Sequence, residues 1–442
     1  MIFRLSNDLL FFIFSFAKLI NMLRLTRYIL IIPFTISTFL MLSQNVNQAN
    51  ETIQTLCSDE FAGRGYVDSG DWVAAKYIAK RFKSLSLKSF KSDYKQPFDL
   101  SVNNITSTKL IIDNELLKPG FDYLVAPNSP SLLGDYQVFY VSRKMLYSNL
   151  VVKKVCKAIR RGYVPVISIF DQKDKALKKT IDEIKKLSKE GPVIFLKDKL
   201  TWRVSTFQSE GTEIWMLDSI FNRFSKDVHI DITATFISSY ESNNVIGYVE
   251  GYQNPDSFII LCGHYDHLGK MGDAIFYGAN DNASGIAMLL DLASYFSEHP
   301  QKYSIAFIAF GGEELGLLGS LNYVKKPLIP LTKTRFVFNM DLMGDGSKGA
   351  TIVNGKIYKS YFDQLIDINA KEGFLPTIRS RGKAANSDHY FFSEAGVPSF
   401  FMYLMGDYEF YHIPQDNASN LKLGNYYSKS FSLIKDFIIC LN

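Results

Sequence analysis

The sequence predicts an α/β protein: a three-layer, mixed but mostly parallel sheet with helices on both faces, plus a smaller inserted domain. Two observations predict the main fold. After Asn243, continuous apolar runs ("VIGYVEG", "SFIILCGH", "SIAFIAFGGEE", "RFVFNMD", "PSFFMYL") alternate with helical text, of which "SGIAMLLDLASYFSEH" is the clearest. Strands apolar at every position are buried on both faces, which requires helices above and below a parallel sheet. The third observation concerns residues 115–235, whose texture differs: short runs such as "YQVFYV", "VPVISIF" and "PVIFL" alternate with lysine-rich text, and no histidine appears before His229. That segment reads as an α/β or β-rich insertion for a lid, docking or substrate selection.

At the N-terminus, "LLFFIFSFAKLI" and "YILIIPFTISTFLML" are apolar, and "MLRLTR" precedes the second. Residues 1–49 therefore read as a leader. With Met22 as the start it has the anatomy of a signal peptide, and the whole stretch would serve as a membrane anchor; either way the protein is exported, periplasmic, extracellular or tethered. Residues 50–114 and 236–442 form the main domain. Within it, "EFAGRGYVDSG" is a glycine-rich loop, and Trp72, Ala75, Ile78, Phe82 and Leu85 fall at the spacing of one amphipathic helix.

A net charge of +5 over 442 residues, with lysines scattered among acids, gives no basic stripe and argues against nucleic-acid binding. Cys57, Cys156, Cys262 and Cys440 have no metal-knot spacing and leave disulfides and free thiols both open.

Each apolar run of the main domain ends in polar chemistry. "SFIIL" leads to His264 and Asp266, "SIAFIAF" to Glu313 and Glu314, and "RFVFN" to Asp341. Ligands of open α/β sheets bind beyond the carboxyl ends of strands, so one edge receives them all. Loops add Asp281, just before a helix, and His412, after the last strand-like run. Imidazoles and carboxylates without thiolates suit hydrolytic zinc, and there are too many for one tetrahedral ion. His264, Asp281, Glu314, Asp341 and His412 would hold two zinc ions with one carboxylate bridging. Consecutive Glu313 and Glu314 point in different directions, so one binds metal while the other acts as general base. Asp266, two residues from His264, would orient that imidazole; His267 would point elsewhere, and His389 would be structural.

The motifs "GHYDHLG", "GANDNASGIAMLLDLA", "FIAFGGEELGLLGS", "NMDLMG", "NSDHYFF" and "YHIPQDN", in that order, resemble the secreted zinc aminopeptidases of peptidase clan MH, metallopeptidase family 28. "LCSDEFAGRG" followed by "AAKYIAKRF" is similar to their N-terminal segment. The resemblance implies the phosphorylase/hydrolase-like zinc exopeptidase fold and two Zn2+ ions. His264 and Asp341 would hold one ion, Glu314 and His412 the other, and Asp281 would bridge. Glu313 would shuttle the proton, Asp266 would partner His264, and Ser387 matches a residue that in some relatives serves the oxyanion. The tyrosine that some relatives carry three residues before that serine is Ala384 here. The implied reaction is hydrolysis of the N-terminal peptide bond of peptides, with a carboxypeptidase, a glutaminyl cyclase or a non-catalytic receptor as alternatives on the same fold. The insertion would correspond to a protease-associated domain.

Overall fold

A computed structural model describes residues 46–168 and 174–442, so the two apolar N-terminal segments lie outside the described residues. Helix α1 (Val46–Leu56) already belongs to the folded unit: Ala49, Ile53 and Leu56 lie in the core. Its first residues overlap the end of the stretch read as leader. Helix α2 (Gly70–Ser84) follows and turns Ala75, Ile78 and Phe82 inward.

Next come β1 (Lys95–Ile112) and the segment containing β2 (Tyr123–Val125), β3 (Leu132–Val141), α3 (Val151–Ile159), β4 (Tyr163–Ser168), α4 (Lys175–Lys185), β5 (Val193–Lys197) and β6 (Glu213–Leu217). The remainder comprises β7 (Asp227–Val249), β8 (Asn254–His264), α5 (Ser284–Glu298), β9 (Tyr303–Phe310), α6 (Leu318–Lys325), β10 (Thr334–Met340), β11 (Gly349–Val353), α7 (Lys359–Glu372), β12 (Ile378–Ser380), β13 (Ser399–Met405) and α8 (Asn425–Leu441).

One sheet runs β12-β11-β13-β10-β8-β9-β7-β3-β4-β5-β6-β2. Its central strands β13, β10, β8 and β9 are mutually parallel, and β7 closes them antiparallel to β9. The apolar runs explain the layering. In β8, Ile259 and Leu261 pack with α1, α2, α5 and α8, whereas Phe258, Ile260 and Cys262 pack on the opposite face with Tyr323 of α6 and Phe392. Strand β9 alternates the same way, Ile305, Phe307 and Ala309 against Ala306, Ile308 and Phe310. Each such fully buried large side chain contributes roughly 1.5–3 kcal/mol.

The segment between β1 and β7 has its own parallel strands, β3-β4-β5-β6, and its own cores. Strand β7 pairs with β3 through residues 227–232 and with β9 through residues 245–249, running unbroken past residue 235. β1 pairs along it from Lys95↔Val245 to Ile112↔Val228. One of this segment's cores also takes in Leu268, Met271, Ala274 and Phe276, so the segment packs directly on the stretch after β8. All four cysteines are free thiols.

Candidate metal centre

Because β10, β8 and β9 are adjacent and parallel, their carboxyl ends meet at one edge. His264 is the last residue of β8, Asp341 follows β10, and Glu313 and Glu314 lie just beyond β9. Asp281 sits in the turn before α5, and His412 in the loop after β13 with a left-handed φ of 57°.

These side chains converge. His264 Nε2 lies 3.3 Å from Asp281 Oδ1 and 3.4 Å from Asp341 Oδ1. His412 Nε2 lies 3.2 Å from Asp281 Oδ2 and 3.5 Å from Glu314 Oε2. One carboxylate therefore faces two imidazoles with its two oxygens. Ligand atoms of His264, Glu313 and Asp341 all lie within 4.8 Å of one another, as do those of His267, Asp281 and Glu314. Glu313 is on the His264 side and Glu314 on the His412 side.

His267 is a correction to the sequence reading. It turns into the site, where Nδ1 meets Glu314 Oε1 at 2.8 Å. The period-two argument that sent it elsewhere needs a strand, and β8 ends at His264. The same ending changes Asp266. His264 Nδ1 is bonded to the Asp266 backbone carbonyl at 3.0 Å, while the carboxylate stands off at 3.8 Å. That carboxylate accepts the backbone N–H groups of Glu313 (3.1 Å) and Glu314 (3.3 Å) and the Tyr66 hydroxyl (3.1 Å). Asp266 thus fixes the turn that carries both glutamates, and orients His264 through its main chain.

Ser387 is also corrected. It is fully buried, its hydroxyl donating to Asp341 Oδ2 (3.2 Å) and accepting from Asn339 Nδ2 (2.7 Å). A hydroxyl has one proton to give, and this one is committed to Asp341 rather than to an oxyanion. His389 is buried in the helix Ser387 leads into and stacks obliquely on Phe401.

Four residues missed by the sequence reading brace the edge. Arg64, from the loop "EFAGRG", is fully buried. Its Nε donates to Tyr265 O (2.8 Å), Nη1 to Leu56 O (3.0 Å) and Tyr277 O (2.5 Å), and Nη2 to Gly278 O (2.7 Å) and Asp281 O (3.3 Å). It thereby ties α1, the end of β8 and the Asp281 turn together. Asp416 accepts the N–H groups of Asn280 (2.8 Å) and Asp281 (3.2 Å). Buried Asn282 joins the same turn to β10, its Nδ2 donating to Met340 O (3.0 Å). Tyr411 stacks on His412 at 3.9 Å with planes 15° apart and stays half exposed at the rim. Sequence signals existed for Asp416 and Tyr411, since both flank or lie in the "YHIPQDN" motif; for Arg64 the signal was a charged residue between two glycines.

The electrostatics are those of a negative pocket. Burial opposes protonation of His264, yet the charges of Glu313, Asp341 and Asp281 outweigh it and raise its pKa well above the usual range. His412 is likewise pushed up to about 9, burial being outweighed by Glu314 and Asp281. Burial, partly offset by His264 and reinforced by Glu314, Asp388 and Asp341, holds the Glu313 carboxyl well above its ordinary value. His412 Nε2 and Asp341 Oδ1 are buried without a hydrogen-bond partner while pointing at neighbouring site atoms. Orphaned ligand atoms, an N/O donor set and surplus negative charge together fit divalent zinc.

Residues 244–432 match peptidase family M28. Aminopeptidase YwaD of Bacillus subtilis is 32% identical over 191 residues, 41% of this chain and 40% of that protein. A probable zinc metalloprotease of Pyrenophora teres is 30% identical over 164 residues, 36% of this chain and 34% of its own length. A vacuolar membrane protease of Candida glabrata is 24% identical over 244 residues, covering 54% of this chain and 23% of that one. The chain thus spans less than half the length of these curated relatives. Among solved structures, BSAP, a zinc aminopeptidase from Bacillus subtilis, superposes with a TM-score of 0.66 at 20% identity, covering 90% of this chain and 96% of that chain. The aminopeptidase from Aneurinibacillus sp. strain AM-1 does so at 0.60 and 20% identity, covering 89% and 93%. At such identity the fold is what is shared, and the coverage is wide enough to take in most of residues 115–235.

Proposed function

We propose, from the match of residues 244–432 to peptidase family M28, that the chain hydrolyses the N-terminal peptide bond of peptides at a two-zinc site. The observation that carries this reading is Asp281, whose Oδ1 and Oδ2 lie 3.3 and 3.2 Å from Nε2 of His264 and His412, so that this one carboxylate would be available to both ions. His264 and Asp341 would complete one ion's ligands, Glu314 and His412 the other's. Bound zinc would supply Lewis-acid polarisation of water and of the scissile carbonyl.

The chain's own residues do the rest. Glu313, partly exposed beside His264 and Asp341, is suited to take a proton from the attacking water and return it to the leaving amine. Asp266 holds Glu313 in place from behind through its backbone N–H. Tyr411, stacked on His412 at the rim, offers an O–H for a developing oxyanion. The apolar N-terminal segments, together with relatives named as vacuolar membrane proteases, support an exported or membrane-associated location.

The test is Glu313→Gln. The purified variant should keep two zinc ions per chain while turnover of aminoacyl anilides falls by about 10²–10⁴, the range that general-base catalysis supplies. Undiminished turnover would remove Glu313 from its role, and wild-type protein that binds no zinc would remove the reading altogether. Cleavage of C-terminal but not N-terminal substrates would move it to a carboxypeptidase.

A further inference from the structure

The proposed ligand histidines are anchored by very different parts of the chain. His264 Nδ1 is bonded to the carbonyl of Asp266, two residues away. His412 Nδ1 is bonded at 3.0 Å to the carbonyl of Trp202, which lies 210 residues away in the insertion. The contact is reciprocal, because Trp202 N–H donates to His412 O, also at 3.0 Å. Two backbone-directed bonds thus clamp the His412 loop onto the segment between β5 and β6.

Trp202 is itself immobilised. It is 3% exposed, its indole Nε1 donates to Val125 O at 2.8 Å, and its ring stacks on Phe276 at 4.8 Å. Val125 belongs to β2 of the insertion, and Phe276 to the loop after β8. The indole therefore pins its own carbonyl between the two halves of the fold. A carbonyl acceptor on Nδ1 requires the proton there, so Nε2, which faces Asp281 and Glu314, is the nitrogen left to serve a metal once it gives up its proton.

We propose that Trp202 is a positioning residue for His412, and that through it residues 115–235 control retention of the ion held by Glu314 and His412. Retention of the ion held by His264 and Asp341 is left to the peptidase segment. The inference rests on the two-ion reading above, and it gives the insertion a part in the metal site although it contributes no ligand.

The experiment uses the full zinc-loaded chain and follows release of both ions into a chromogenic chelator. In Trp202→Ala one ion should leave about 10–100-fold faster and the other at the wild-type rate, the scale on which outer-shell partners of ligand histidines act. His412→Ala identifies which ion that is, and Trp202→Phe, which retains the stacking on Phe276 but loses the bond to Val125 O, should release it at a rate between those of wild type and Trp202→Ala. Equal acceleration of both ions, or none, overturns the proposal. A second measurement needs no variant: amide hydrogen exchange in the peptide containing Trp202 should speed up when wild-type zinc is removed, and unchanged exchange also overturns it. Wild-type protein that binds fewer than two zinc ions would instead defeat the two-ion reading, so the two failures are distinguishable.

Discussion

The peptidase segment and the insertion contribute to the same edge in opposite ways. The first supplies the ionisable groups named above: three parallel strand ends deliver His264, Glu313, Glu314 and Asp341, and the connections to α5 and α8 add Asp281 and His412. The second supplies no ligand, yet its Trp202 meets His412 at both ends of a reciprocal contact. The difference teaches that a site can be chemically complete in one stretch of sequence while its geometry is completed by another. Perturbations confined to either part should therefore separate: those in the peptidase segment should disturb the whole edge, and those in the insertion one histidine.

The largest expected break is Arg64→Ala. Removing this buried cation leaves the carbonyls of Tyr265, Leu56, Tyr277, Gly278 and Asp281 without their donor. At 1–3 kcal/mol for each buried group that finds no substitute, and with water reaching some of them, the loss should be about 4–5 kcal/mol. Urea unfolding of the metal-free protein measures it. Arg64→Lys should recover only part, since an ammonium has three donors where the guanidinium has five. Wild-type stability in Arg64→Ala would mean that the edge is braced elsewhere.

Next is a pH dependence that belongs to the peptidase segment. Burial lowers the His389 pKa from 6.5 to about 4, so the fold binds it neutral. The folded value lies below the unfolded one. Stability from this group is therefore fully present above pH 6.5 and is lost as pH falls towards 4. The difference corresponds to about 3 kcal/mol at 1.36 kcal/mol per unit. Between pH 7 and pH 4, wild-type protein should lose about that much more stability than His389→Gln, as read from urea midpoints. Parallel acid profiles for the two proteins would dismiss His389 as the cause.

How much of this was legible in the sequence follows from what local pattern encodes. Runs such as "SFIILC" must be buried on both faces, which fixes a parallel sheet and hence a common edge; the placement of His264, Glu314 and Asp341 needs nothing more. Alternation, by contrast, holds only while a strand lasts. Since β8 stops at His264, neither the direction of His267 nor the use of the Asp266 carboxylate could be read from spacing. Arg64 looked like a loop residue because its partners are backbone carbonyls, which leave no mark in sequence. Trp202 was invisible for a stronger reason: its tie to His412 spans 210 residues and runs through main-chain atoms. Ser387 matched a family position, but its role depends on which way one hydroxyl proton points, and Asn339 and Asp341 decide that.

The smallest effect sharpens the contrast most. His267 holds Glu314 Oε1 at 2.8 Å, and Glu314 Oε2 faces His412. The proposed ion on that side is thus supported from both parts of the chain, by His267 acting on one ligand and Trp202 on the other. Losing His267 removes one oriented hydrogen bond to a ligand carboxylate while leaving His412 clamped, so His267→Ala should release that ion about tenfold faster, at the lower end of the range for outer-shell partners. His267→Gln, whose amide can still donate to Glu314, should fall between the two. If the supports are independent, the His267→Ala and Trp202→Ala effects on release should multiply, because they act on different ligands. An effect of His267→Ala on the ion at His264 and Asp341 would instead mean that the two halves of the edge move as one body, and the division drawn between peptidase segment and insertion would not hold.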